Sequence, residues 1–151
     1  MPKIVLVEPQ IPPNTGSIAR TCAATKTELH LVGPMGFEIS DRHLKRAGLD
    51  YWPHVKLQYH QDFVKFQSYH QKIGGRLIGF SVAGHLTYTD CQYKNNDWLI
   101  FGSETFGLSA TILGLCDLTL NIPITQPEVR SLNLSVSVAI GLFEAYRQLK
   151  T

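Results

Sequence analysis

Leu99-Ile100-Phe101-Gly102-Ser103-Glu104-Thr105-Phe106-Gly107-Leu108-Ser109 begins as an unbroken apolar run, passes through a loop bounded by two glycines, and ends on a serine suited to start a helix. An apolar run without alternation is the mark of a strand buried on both faces, and such strands belong to parallel sheets covered by helices. Similar short runs stand at residues 4–7, 29–32, 77–80 and 118–122, with a weaker one at 55–58. Helical spacing falls between most of them: Ile18, Cys22 and Ala23 after Asn14; Leu44, Ala47 and Gly48 after Asp41; Phe63, Phe66 and Tyr69 or His70 after Asp62; Ile112, Leu113 and Leu115 after Ser109. This alternation predicts an α/β fold, a mostly parallel, six-stranded sheet flanked by helices on both faces. Two stretches, 84–97 and 123–131, carry no period, and loops of that length inside a domain tend to be functional. The helix expected over 133–149 is apolar on more than one side, which predicts a second covering surface, another copy of the chain.

The chain has 151 residues, 44% hydrophobic and 17% charged, which predicts a single domain over 1–151 with a core that needs no staples. Its three cysteines, Cys22, Cys91 and Cys116, form no CxxC pair, so reduced thiols in a cytoplasmic compartment are expected. No apolar run reaches the length of a signal peptide core or a membrane span, and a soluble protein is expected. The net charge is +2, with ten Lys/Arg against six Asp/Glu in residues 1–76 and four against six in 77–151. A bias of that size permits a phosphate-backbone partner without requiring one. The six histidines make no HExxH and no close His/Cys cluster, so no metal is expected.

Three segments carry candidate chemistry. In Pro12-Pro13-Asn14-Thr15-Gly16-Ser17-Ile18-Ala19-Arg20, Asn14 suits a helix cap, and Arg20 is a guanidinium fork, the right shape for phosphate, on a helix otherwise short of charge. In the opening stretch the spacing of Gly102 and Gly107 imitates a phosphate-binding loop, but Leu108 stands where its lysine would be, and no GxGxxG follows any strand. What survives is a loop at the carboxyl end of a parallel strand carrying Glu104, where open α/β sheets bind ligands; a plain strand–helix turn accounts for the same residues. In Ile122-Pro123 with Val129-Arg130-Ser131-Leu132-Asn133-Leu134-Ser135-Val136-Ser137, Ser131 and Asn133 are candidate caps, and Ser135 and Ser137 are hydroxyls within an apolar helix. Tyr51, Trp52 and Tyr59 could stack on bases or pack in a core.

Taken together and in this order, the segments 14–20, 102–108 and 122–135 resemble the three motifs of the SPOUT RNA 2′-O-ribose methyltransferases. The likeness is strongest to the minimal members that methylate the wobble cytidine or modified uridine of tRNA, which share Glu8-Pro9, Pro34-Met35-Gly36-Phe37 and Arg46-Ala47-Gly48-Leu49-Asp50-Tyr51. The resemblance implies an α/β fold with a C-terminal trefoil knot, a homodimer, tRNA as substrate, and S-adenosylmethionine as methyl donor, leaving S-adenosylhomocysteine. Methylation of another RNA, and a knotted RNA-binding module without catalysis, are the alternatives. It implies cofactor contacts from Gly102, Ile122, Ser131 and Leu132, with Phe80 or Ile78 at the end of the 77–80 strand. Two positions depart from the pattern: Phe80 replaces an aliphatic residue, and Phe106 a basic one. Although the family often casts the counterpart of Arg20 as the base, a guanidinium keeps its proton. Arg20 is therefore expected to position the 3′-side phosphate or stabilise the developing alkoxide, oriented by Glu104, with Asn14 and Asn133 holding the ribose.

Overall fold

The computed structural model describes residues 1–40, 42, 44, 46 and 49–150. The elements in chain order are β1 (Lys3–Val7), α1 (Pro12–Thr25), β2 (Glu28–Val32), a 3-10 helix (Leu49–His54), β3 (Lys56–His60), α2 (Phe63–Ile73), β4 (Leu77–Phe80), β5 (Leu86–Thr87), β6 (Trp98–Phe101), α3 (Ala110–Leu115), β7 (Leu118–Asn121) and α4 (Leu134–Leu149). Of the helix expected after Asp41, Leu44 is helical and buried, while Asp41, Ala47 and Gly48 lie outside the described residues.

The strands form one sheet in the order β3-β2-β1-β6-β4-β7-β5, every adjacent pair parallel. Successive side chains point to opposite faces, so each apolar run feeds two cores. Ile4, Leu6, Leu29, Leu31, Leu99 and Phe101 pack with Ile18, Ala19 and Cys22 of α1 and with Leu134, Val138, Leu142 and Ala145 of α4. Val5, Val7, Val32, Trp98 and Ile100 pack with Phe66 of α2, and Ile112 and Leu113 of α3 lie against the same cluster. That double burial is why the strands read as continuous runs.

The sheet has seven strands, where the sequence predicts six. The extra one, β5, lies inside the stretch 84–97, and two residues are too short for any period to show. It is recruited by β7, through Leu86 opposite Leu120 and Thr87 opposite Asn121, and the Asn121 side chain donates to the Gly84 carbonyl at 2.8 Å. Cys91 and Tyr93 of that stretch are tied to α4: Gln148 donates to the Cys91 carbonyl at 2.9 Å and accepts from the Tyr93 N–H at 3.1 Å.

Helix starts follow their caps except in α1. Asp62 accepts from the Lys65 N–H, Ser109 from the Ile112 N–H, and Asn133 from the N–H groups of Ser135 and Val136. In α1 the N-cap is Ile11, which offers no side-chain bond, and Asn14 lies inside the helix rather than capping it. The reason is the Pro12-Pro13 pair: proline fits the first helical turn, where its missing N–H is not needed, so the helix begins ahead of Asn14.

Two histidines form a buried pair across β2 and β3. His30 Nδ1 lies 2.9 Å from His60 Nε2, the rings stack at 5.2 Å, and His30 Nε2 is 3.3 Å from Glu28. Burial, and then the proximity of His60, push the His30 pKa down to about 4, against an opposing pull from Glu28. Both rings lie against Phe66 and Tyr69, so the pair is part of the core.

Candidate active site

Strand order brings three segments far apart in sequence to one end of the sheet. Because β1 pairs with β6, the loop after β1 (residues 8–11) and the loop after β6 (102–109) leave the sheet side by side. Because β4 pairs with both β6 and β7, the segments after those strands flank the same place. Here the strands' carboxyl ends open into a cleft of about 550 Å³, a size suited to a small organic ligand. It is lined by Phe80, Ser81 and Val82 after β4, by 101–108 of β6 and its loop, by Ile122 and Ile124 after β7, and by Arg130, Ser131, Leu132, Leu134 and Ser137 around the start of α4. Phe80 and Phe101 stack at 4.5 Å with planes 17° apart. Gly141 lets the Phe80 ring rest on α4, since a β-carbon there would stand 2.7 Å from Phe80 Cζ.

The loop after β6 is closed on itself. Ser103 and Gly107 form an antiparallel bridge, the Gly107 N–H donates to the Ser103 carbonyl at 2.9 Å, and the Phe106 N–H donates to Ser103 Oγ at 3.2 Å. Gly107 takes φ +66°, in the left-handed region that favours glycine. Gly102 lies beneath it: a β-carbon on Gly102 would stand 2.0 Å from the Gly107 carbonyl carbon. So Gly102 is demanded by the crossing of the loop's two limbs and Gly107 by its own backbone conformation.

Glu104 reaches out of this loop to the start of α1. Its carboxylate accepts from the N–H groups of Gln10 (2.9 Å) and Ile11 (3.0 Å) and from the Asn14 side-chain amide (3.2 Å). A negative group at a helix N-terminus also meets the favourable end of the helix dipole, so Glu104 does from across the sheet what α1's own N-cap does not. Asn14 Oδ1 in turn accepts from Asn133 Nδ2 at 3.1 Å, and Asn133 Oδ1 caps α4 through the N–H groups of Ser135 (2.9 Å) and Val136 (3.4 Å). Glu104, Asn14 and Asn133 thus form one hydrogen-bonded chain through all three sequence segments.

The residues expected to act together are only partly assembled. Glu104 lines the cleft with Phe80, Gly102, Ile122, Ser131 and Leu132. Ile78, the alternative to Phe80, does not line it; fully buried between Leu99 and Leu118, it faces the core. Arg20 is not oriented by Glu104, whose oxygens are bonded to the start of α1. Six residues after Asn14, Arg20 is turned about 240° round the helix. It lies exposed, its guanidinium carbon 4.9 Å from the centre of the Tyr51 ring. Sequence reasoning missed Ser81, Val82, Ile124 and Leu134 as lining residues and gave Arg130 no role. It also missed the Gln10 and Ile11 N–H groups, because backbone donors leave no mark in a sequence. Only Ser137 carried a signal, as a hydroxyl in an apolar helix.

Among the described residues, no group of three or more His, Cys, Asp or Glu could hold a metal ion. No described helix is long and apolar enough to cross a membrane.

Residues 1–143 match the SpoU rRNA methylase family. A protein of Synechocystis sp. is 59% identical over 151 residues, covering 100% of this chain and 99% of its own. The tRNA (cytidine(34)-2′-O)-methyltransferase of Burkholderia cenocepacia is 41% identical over 147 residues, covering 96% of this chain and 94% of its own. A solved structure described for the 2-OH methylation of C/U34 on tRNA is similar with a TM-score of 0.93 and 46% identity, covering 97% of this chain and 95% of that one. The SpoU methyltransferase of Streptomyces viridochromogenes, in complex with the cofactor AdoMet, is similar with a TM-score of 0.88 and 25% identity, covering 97% of this chain and 57% of that one.

Proposed function

We infer the function from one premise: the chain belongs to the SpoU rRNA methylase family. It is an S-adenosylmethionine-dependent methyltransferase, and its reaction is methylation of the ribose 2′-hydroxyl of the tRNA wobble nucleotide, cytidine 34 or a uridine in that place. The observation that carries this reading to the chain's own residues is the hydrogen-bonded path Glu104–Asn14–Asn133, which holds the three motif segments around one cleft.

The cleft fits the cofactor. Its floor of Phe80, Phe101 and Leu108 suits an adenine ring, and the hydroxyls of Ser103, Ser131 and Ser137 suit a ribose and an amino acid tail. In this reading Phe80, Gly102, Ile122, Ser131 and Leu132 hold S-adenosylmethionine, which supplies a methyl group on a sulfonium for in-line attack by the ribose oxygen. The demands on the protein are alignment of the ribose and stabilisation of the charge that develops on its oxygen. Arg20 meets the second, as the cation that aligns the 3′-side phosphate or stabilises the alkoxide; its exposure and its seat over Tyr51 support that role. Asn14 and Asn133 place the cleft walls and offer their remaining amide valences to the ribose.

The reading takes residues 1–151 as one unit that works as a homodimer in the cytoplasm, where its tRNA is. Support for the dimer comes from α4, which leaves Val136 47% and Phe143 48% exposed on one stripe. A second copy on that face would bring its surface close to each cleft. A C-terminal trefoil knot belongs to the same reading. The test is nucleoside mass spectrometry on tRNA from cells lacking the protein, and on that tRNA after treatment with the purified chain and S-adenosylmethionine. The expected result is loss and restoration of one 2′-O-methyl group at the wobble nucleotide. Methylation elsewhere, or none, overturns the reading.

A further inference from the structure

We propose that Phe106 is the platform on which the base of the methylated nucleotide stacks. The proposal rests on the methyltransferase reading above. At 87% exposure, Phe106 is the most exposed large apolar side chain among the described residues. Folding does not place it there for stability, since its ring buries almost nothing. Nor does it hang from a loose loop: its own N–H is held by Ser103 Oγ, the next residue closes the Ser103–Gly107 bridge, and the two limbs cross in contact at Gly102. A ring on a closed loop is already oriented before any ligand arrives, which lowers the ordering cost of binding.

Its position selects the partner. Phe106 lines the cleft assigned to the methyl donor together with residues 103–105 and 107–108, and at its high exposure the ring stands at that cleft's rim. A ribose presenting its 2′-oxygen to the cleft carries its base on the adjacent carbon, and the base must therefore come to the rim. Phe106 offers that base an exposed aromatic face, and stacking on it accepts cytosine and uracil alike because each has a π-face.

The test is a cycle between ring and base. Methylation kinetics are measured on anticodon stem-loop RNAs bearing cytidine, uridine or an abasic ribose at the methylated position, with wild type, Phe106→Ala, Phe106→Leu and Phe106→Trp. Phe106→Ala and Phe106→Leu are expected to raise KM for the cytidine and uridine RNAs about tenfold to a hundredfold, while Phe106→Trp stays near wild type. On the abasic RNA all four proteins should perform alike; because Phe106 also lines the cofactor cleft, S-adenosylmethionine affinity is measured beside KM, and a loss of that affinity as large as the KM penalty in Phe106→Ala overturns the assignment. A penalty that persists on the abasic RNA overturns the assignment. So does a change in oligomeric mass in Phe106→Ala, which would make the ring a subunit contact. Absence of methylation by the wild type on tRNA and on these RNAs overturns the methyltransferase reading and this proposal with it; the other outcomes leave that reading standing.

Discussion

Replacing Glu104 by glutamine keeps the side chain's size and removes its charge, so it isolates the tie between the β6 loop and α1. The carboxylate accepts three hydrogen bonds from residues about ninety positions earlier, at 2.9, 3.0 and 3.2 Å. A hydrogen bond to a charged group contributes roughly 1.5–3 kcal/mol net, and the low end applies because the Gln10 and Ile11 N–H groups lie toward solvent and can rehydrate. Glutamine has one acceptor oxygen and one amide. With the oxygen serving Ile11 and Asn14, the amide confronts the Gln10 N–H, donor against donor. One bond is lost, about 1.5 kcal/mol, and two become neutral, about 0.5 kcal/mol each, so Glu104→Gln should cost about 2.5 kcal/mol. For a chain of this length that lowers Tm by about 5–10 °C. Glu104→Ala should cost about 4.5 kcal/mol, since no acceptor remains. Urea titrations give the stabilities, and calorimetry on the folded variants should show weaker S-adenosylmethionine binding, because the same loop lines the cleft. In a cycle with Asn14→Ala the two changes should couple by more than about 0.5 kcal/mol, as residues sharing a hydrogen bond do. A Glu104→Gln protein within about 0.5 kcal/mol of wild type, additive with Asn14→Ala and undiminished in cofactor binding, would refute the tie.

Other perturbations probe the remaining parts. Gly102→Ala should destabilise by about 3 kcal/mol or more and weaken cofactor binding, since the new β-carbon would stand 2.0 Å from the Gly107 carbonyl carbon; thermal melting and calorimetry check it, and a melting point like wild type's would show that the limbs do not cross in contact. Arg20→Ala should leave stability and cofactor affinity near wild type while turnover falls by orders of magnitude, and Arg20→Lys should be nearly as inactive at alkaline pH; recovery of the lysine variant as pH rises would favour a proton acceptor instead. The native state disfavours protonation of His30, whose pKa is pushed from 6.5 to about 4, so stability is full above about pH 6.5 and falls as pH drops toward 4, by about 3 kcal/mol in all. Urea titrations across that window should show the loss in wild type and a flatter profile in His30→Gln; parallel profiles would place the acid sensitivity elsewhere.

The sequence by itself determined the parallel α/β class, because residues such as Ile4–Leu6 and Leu99–Phe101 are buried on both faces and so form unbroken apolar runs. It also determined where α2, α3 and α4 begin, since Asp62, Ser109 and Asn133 bond to N–H groups two or three residues on, within reach of local reasoning. The three motif segments were legible as motifs, and Gly102 and Glu104 within them as unusual. Strand β5 was not legible, because two residues have no period and its pairing depends on Leu120 and Asn121 far along the chain. Asn14's place inside α1 followed from a competition between the proline pair and the cap that only the folded helix resolves. The closing of Glu104, Asn14 and Asn133 into one chain and the burial of Ile78 between β6 and β7 were decided by the order of strands in the sheet. Which loops leave it side by side depends on pairings between distant residues, and no local propensity encodes them.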